Sequence, residues 1–183
     1  MTRSPSPPEP PDARDLEQDD GGRSDAAAGR EVSSGFLHAF RTRVYYADTD
    51  FSGIVYHGRY LEFLERGRSD LLHMAGIRHR DLAEGRIDPA SATTGEPLAW
   101  VVRRITIEYR APARIEDEIT VETGIDEARG ARLLMPQRVA CGPVLILEAR
   151  VEAALVTQKG RPQRIPPGWI DRLLTPGTPG AGR

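Results

Sequence analysis

The sequence predicts an α+β fold in which one long helix packs against a curled antiparallel sheet of five strands. Three observations carry the prediction. A β-like segment, residues 36–46, precedes a long stretch of helical periodicity over residues 57–75. Four further β-like stretches follow it, mostly joined by tight connections. A single helix laid on such a sheet covers only one of its faces well. Periodicity by itself also admits other α+β sheets.

The first strand runs into the helix through a turn of acidic and small residues. In the helix, Tyr60, Phe63, Leu64, Gly67, Leu71 and Met74 recur at helical spacing and form one apolar face. Glu62, Glu65, Arg66, Arg68 and Asp70 fall mostly on the other side. Gly67 within the helix costs up to about 1 kcal/mol relative to Ala, so its place implies a close approach to the sheet or another backbone. Gly76 supplies the C-terminal stop. His79, Asp81, Leu82 and Ala83 suggest a short second helix, and residues 88–95 read as loop.

The four later strands are expected at 98–109, 118–125, 132–141 and 144–158. Ile105, Ile107 and Tyr109 alternate with Thr106 and Glu108, as in a strand with one buried face. Gly130 marks a hairpin between the second and third of these, and Cys141-Gly142-Pro143 ends the third. Residues 164–174 suggest a last short helical turn. The domain therefore spans residues 35–174. Residues 1–34 read as a disordered tail, rich in proline, acidic residues and glycine, that cannot bury enough apolar surface to offset its ordering entropy. Residues 175–183 read the same way.

A chain of 183 residues supports one domain plus tails. With 25 Lys and Arg against 27 Asp and Glu, it carries no basic footprint for nucleic acid. Cys141 is the sole cysteine, which excludes an internal disulfide and a cysteine-built zinc site and fits a reducing compartment. No apolar run is long enough to span a bilayer. Residues 1–30 lack the apolar core of a signal peptide, so a cytoplasmic location is expected.

The candidate chemistry lies in residues 44–57, Val-Tyr-Tyr-Ala-Asp-Thr-Asp-Phe-Ser-Gly-Ile-Val-Tyr-His. This reads as strand, acidic turn and helix start. Asp50 would then sit at the turn, with free helix N–H groups facing the same space. A carboxylate there can act as nucleophile or general base while N–H groups bind a developing oxyanion. Considered alone, Asp50 also suits a turn or N-cap role. Asp48 lies two residues earlier, on the same side of an extended strand. It could share a metal with Asp50 and His57 or simply stabilise the turn; no further ligand cluster lies nearby, and the turn role is preferred. Ser52 lacks the flanking glycines of a nucleophile elbow.

This stretch resembles the hot-dog-fold thioesterases of the 4-hydroxybenzoyl-CoA thioesterase-like branch, and within it the acyl-CoA thioesterases associated with the Tol-Pal system. The match covers Tyr45-Tyr46-x-Asp48-Thr49-Asp50, Gly53-Ile54-Val55-Tyr56-His57 and Tyr60-Leu61-x-Phe63-x-Glu65-Arg66. It continues in Val101-Val102-Arg103 and Glu108-Tyr109-x-Ala111-Pro112-Ala113-Arg114. The resemblance implies the hot-dog fold, in which the sheet curls around one central helix. It implies that Asp50 is the catalytic carboxylate and that His57 is an active-site position. Gly53, Val55 and Tyr56 would supply oxyanion N–H groups. Family members usually carry small residues where this chain has Phe51-Ser52, so Phe51 is expected to reshape the acyl pocket.

Further substrate contacts are expected from Tyr60 and Val102, and from Arg59, Arg103 and Arg104 as phosphate ligands of coenzyme A. Tyr60 equally suits the core, and the arginines equally suit a solvated face. The resemblance implies an acyl-CoA thioesterase with no metal or redox cofactor, coenzyme A arriving as part of the substrate. It implies a homo-oligomer, dimer or tetramer, with sites at the subunit interface, and it admits an acyl carrier protein as partner. Two other functions fit the same fold. One is a hydratase or dehydratase on acyl thioesters, against which the Asp-Thr-Asp motif argues. The other is a non-catalytic envelope scaffold, against which the presence of both Asp50 and His57 argues.

Overall fold

The computed structural model describes residues 30–31, 35–87 and 95–176, so the expectations for the rest of the two tails and for most of the 88–95 loop lie outside it. The order of elements is β1 (Arg30–Glu31), β2 (Phe36–Arg43), a 3-10 turn (Tyr46–Asp48), α1 (Arg59–Met74), α2 (His79–Ala83) and β3 (Leu98–Tyr109). It continues with β4 (Glu118–Gly124), β5 (Glu127–Arg129), β6 (Arg132–Cys141), β7 (Val144–Thr157) and α3 (Trp169–Leu174). All pairings are antiparallel. The main sheet runs β2–β4–β6–β7–β3, with β5 continuing β4 along β6 and β1 paired to β5. This is the expected hot-dog arrangement, one long helix on a curled antiparallel sheet.

Several boundaries differ from expectation. The first strand ends at Arg43 rather than 46, because Val44 exchanges hydrogen bonds with the 116–117 turn and Asp48 folds back on the Tyr45 N–H. The helix starts at Arg59 rather than 57; His57 and Gly58 form the turn before it, closed by the Arg59 N–H on the Tyr56 carbonyl. Arg30–Glu31, placed in the tail by composition, pairs in register with Ala128 and Glu127. The short β5 was also unexpected. It is the first arm of a hairpin closed by Gly130 in the left-handed region, φ 58°.

The core consists of two apolar clusters along α1. One gathers Tyr60, Phe63 and Leu64 with Val44, Val55, Ile119, Val121 and Leu147. The other gathers Leu71 and Leu72 with Ile125, Leu133, Met135, Leu155, Trp169 and Leu173. Each such side chain contributes about 1.5–3 kcal/mol when fully buried. Between the clusters lies a polar layer. Arg68, expected on the solvent side, is buried and donates to Gln137 Oε1 at 2.8 Å. Gln137 Nε2 donates to the Leu64 carbonyl at 2.9 Å and to Thr123 Oγ1 at 2.8 Å.

Gly67 is the point of closest approach between helix and sheet. A Cβ there would lie 2.7 Å from Val121 Cγ1 and 3.2 Å from Thr123 Oγ1. Among the described residues, no helix is long and apolar enough to cross a membrane. Gly67→Ala should lower stability by about 1–2 kcal/mol. Overpacking costs roughly 1–3 kcal/mol and outweighs the helix-propensity gain of up to about 1. Chemical denaturation of the two proteins reads the difference, and a more stable alanine protein would contradict the packing account.

Candidate active site

Asp50 sits at the start of a three-residue hairpin loop rather than against the helix end. Thr49 and Val55 form an antiparallel bridge, the Asp50 N–H donates to the Ile54 carbonyl, and the Gly53 N–H donates to the Asp50 carbonyl. Phe51 and Ser52 are the corner residues, and Gly53 takes the left-handed position with φ 73°, which a side chain would strain. The loop is docked on the 113–115 segment. Val55 N–H donates to the Ala113 carbonyl, Ile115 N–H to the Gly53 carbonyl, and Ile54 bridges Arg114.

The Asp50 carboxylate is exposed and held on one side. Its Oδ1 accepts from the Ser52 N–H at 2.8 Å and from the Ser52 hydroxyl at 2.5 Å. These bonds, the hydroxyl foremost, favour the ionised form and hold the carboxyl below its ordinary pKa. Among the described residues nothing donates to Oδ2, which stays free for chemistry. Sequence reading missed this role of Ser52. Its signal is the spacing, because an Asx turn pairs an aspartate with the residue two further on.

Asp50 shares an open cleft of about 490 Å3 with Ala47, Asp48, Thr49, Tyr56, Gly58, Arg59 and Glu62. The cleft thus joins the Asp50 loop to the start of α1. The proposed oxyanion donors need correcting, because Gly53, Val55 and Tyr56 direct their N–H groups to the carbonyls of Asp50, Ala113 and Asp48. Among the described residues, the N–H groups of His57 and Gly58 have no backbone acceptor. The His57 ring stacks obliquely on Tyr56, centroids 4.3 Å apart, and its carbonyl accepts from the Tyr109 hydroxyl at 3.0 Å.

The remaining candidates divide. Arg59 is not a free phosphate ligand: Nε meets Asp48 at 3.2 Å, Nη1 donates to Glu62 at 2.5 Å and Nη2 to the Ala47 carbonyl at 2.9 Å. Asp48 is buried between Arg59 and the Tyr45 N–H, the turn-stabilising role. Tyr60 belongs to the core, its hydroxyl accepting from the Ala113 N–H at 3.0 Å. Arg103 pairs with Glu152 at 2.7 Å across β3 and β7. Arg104 and Val102 are exposed, and Arg104 has no ion pair among the described residues. Phe51 is wholly exposed at the loop corner, so it is not packed in the core of its own subunit. A groove of about 760 Å3 between α1 and α2 contains neither Asp50 nor His57. Among the described residues no three His, Cys, Asp or Glu side chains converge as metal ligands.

One long helix on this antiparallel sheet defines a hot-dog protein. Residues 44–173 match the thioesterase-like superfamily, and the chain belongs to it. It is 36% identical over 125 residues to the acyl-CoA thioesterase YbgC of Haemophilus influenzae, covering 68% of this chain and 83% of the relative. It is 37% identical over 132 residues to the acyl-CoA thioester hydrolase YbgC of Escherichia coli, covering 71% and 90%. A probable thioesterase of Bartonella henselae superposes with a TM-score of 0.66 at 45% identity, covering 72% of this chain and all of that one.

Arg59→Met should destabilise the protein by about 1–3 kcal/mol, because Asp48 would keep its burial and lose its cation. Thermal melts of the two proteins measure this. An unchanged melting temperature would show that Arg59 is not the strap described here.

Proposed function

We propose that this chain hydrolyses acyl-CoA thioesters to a free acid and coenzyme A, with Asp50 as the catalytic carboxylate. The observation that carries the reading is the Asp50 carboxylate itself. One oxygen is fixed by Ser52, and the other is free at the rim of a cleft that reaches the start of α1. The Haemophilus relative, named as an acyl-CoA thioesterase, and the Escherichia relative, named as an acyl-CoA thioester hydrolase, support the same substrate class.

In this reading the free Oδ2 either attacks the thioester carbon or takes a proton from an attacking water. By the first route a mixed anhydride forms and water opens it. By either route the C–S bond breaks, a C–O bond forms, and the leaving thiolate takes up a proton. The His57 and Gly58 N–H groups, without backbone acceptors among the described residues, serve the carbonyl oxygen in place of Gly53, Val55 and Tyr56. The reaction needs no resident metal or redox cofactor. A cytoplasmic setting is part of the proposal, and an acyl carrier protein bearing the same thioester is an admissible donor.

We also infer a dimer. β3 is a 12-residue strand with β7 on one side and, among the described residues, no strand on the other. Val101, Val102 and Tyr109 on it are exposed. A free edge of this length and apolarity is a template for pairing. Pairing with a second copy about a two-fold axis is necessarily antiparallel. It sets the Val101–Val102 end of one β3 beside the Tyr109 end of the other, where Tyr109 holds His57.

Asp50→Asn should reduce kcat/KM on acyl-CoA by about a hundredfold or more with little change in melting temperature. Near-normal thiol release by the folded variant would overturn the assignment. Isotope-labelled water in a single turnover separates the routes, since label enters Asp50 only through the anhydride.

Ser52→Ala should move the acid limb of kcat/KM upward. Ser52 lowers the Asp50 pKa, so its loss raises the pH at which Asp50 protonates and activity falls. The profile is read where circular dichroism shows both proteins folded, and coincident acid limbs would remove Ser52 from the site. Sedimentation velocity should show a dimer or larger; a fully active monomer would refute the interface.

A further inference from the structure

A second feature lies on the same helix, away from the Asp50 cleft. Between α1 and the sheet is a slot of about 100 Å3, walled by Leu72, Trp100, Val102, Leu133, Met135 and Ala153. Its polar lining comes from α1 and α2: Glu65, Arg68, Ser69 and His79. Glu65 is exposed and Ser69 half-buried, and the Ser69 hydroxyl donates to Glu65 at 2.7 Å and lies 3.2 Å from His79 Nε2.

Arg68 is different, because only 8% of its surface is exposed. Its sole hydrogen bond among the described residues is from Nη1 to the neutral Gln137 amide, and no carboxylate lies within ion-pairing distance. Burial lowers its pKa, and the more distant Glu65 charge offsets this only in part. A guanidinium carries five N–H donors in a planar fork that matches a carboxylate. Here most of those donors are unused, and the residue lines a cavity. A buried cation is ordinarily paired, whereas the Glu65 charge acts on this one only from beyond ion-pairing distance.

We propose that the slot receives the acyl group of the substrate and that Arg68 binds a carboxylate at its far end. The favoured substrates are then short ω-carboxyacyl thioesters, derived from dicarboxylic acids of about three to five carbons. This rests on the thioesterase reading and deepens it. Volume argues for a short aliphatic group, since an apolar cavity that takes up benzene measures roughly 150 Å3. Charge argues for the terminal carboxylate.

The dimer supplies the missing reach. Glu65, Arg68, Ser69 and Leu72 lie 6 to 13 residues beyond Arg59, about 9–20 Å along the helix axis, too far for a short acyl group bound at its own Asp50. Antiparallel β3 pairing places the Val102 end of the slot beside the Asp50 loop of the second copy. Each site then takes its acyl slot from one subunit and its carboxylate from the other.

The test compares malonyl-, succinyl- and glutaryl-CoA with propionyl-, butyryl- and valeryl-CoA in thiol-release assays, with enzyme-free blanks subtracted. The wild-type protein should favour the best carboxylated substrate over its plain counterpart by about tenfold or more in kcat/KM. Arg68→Met, close in volume and uncharged, should abolish that preference, read as the ratio of kcat/KM between each carboxylated substrate and its plain counterpart. Calorimetric titration with succinamate and butyramide, in which a neutral amide stands for the thioester, reads the slot without turnover, and needs only the wild-type protein if the variant fails to fold. Succinamate should bind more tightly than butyramide. Equal or better hydrolysis of the plain series, or equal binding of the two amides, overturns the proposal while leaving the thioesterase reading intact. Failure to hydrolyse any acyl-CoA, with succinamate still preferred, would instead overturn the thioesterase reading and leave the carboxylate site standing.

Discussion

The contact between Gly67 and β4 sets the geometry of this protein. With a hydrogen in place of a side chain, α1 settles against Val121 and Thr123, closer than any other residue would allow. That approach seats Tyr60, Phe63 and Leu64 on one part of the sheet and Leu71 and Leu72 on another. It also brings the Leu64 carbonyl and the Arg68 guanidinium within reach of Gln137. Once the helix is seated, its first residue is seated too. Arg59 then draws in Asp48, Ala47 and Glu62, and the turn leading to Asp50 takes its position from that clasp.

Two kinds of support therefore meet at the cleft. Apolar packing fixes the helix from below, while backbone hydrogen bonds fix the Asp50 loop from the side. The chemistry needs both, because a carboxylate is useful only at a defined distance from the donors that stabilise the developing charge. The polar layer of Arg68, Gln137 and Thr123 adds a constraint that apolar packing lacks. Its partners have directions, so it resists sliding of the helix along the sheet.

Much of the fold was legible in the sequence because its periodicities are long. The β3 and β6 ranges match at both ends, and Gly67 announced the close approach that its Cβ geometry shows. What escaped was short or paired at a distance. Arg30–Glu31 and Glu127–Arg129 are strands only because each finds a partner, which no local pattern reveals. Arg68 was misread for a similar reason. Its charge suggests solvent, but its helical angle places it beside Leu64, Leu71 and Leu72, on the buried face. The Asp50 turn was located correctly, yet the direction of each N–H group around it was not, because backbone hydrogen bonding depends on Asp48 and Ala113 in space. Arg59 looked like a phosphate ligand for want of the same information.

The Asp50 loop is held almost wholly by its main chain. The bridge of Thr49 to Val55, the Ile54 bridge to Arg114 and the Val55 bond to Ala113 involve no side chain. Apart from Ser52 and Gly53, the loop's residues can therefore vary without moving the carboxylate. Phe51 illustrates the point, a large aromatic group standing in solvent at the corner of the turn. Evolution can rewrite the rim of such a cleft freely, altering what enters while the Asp50 carboxylate stays where the backbone puts it. Descendants of one ancestor would then diverge in substrate long before they diverge in chemistry.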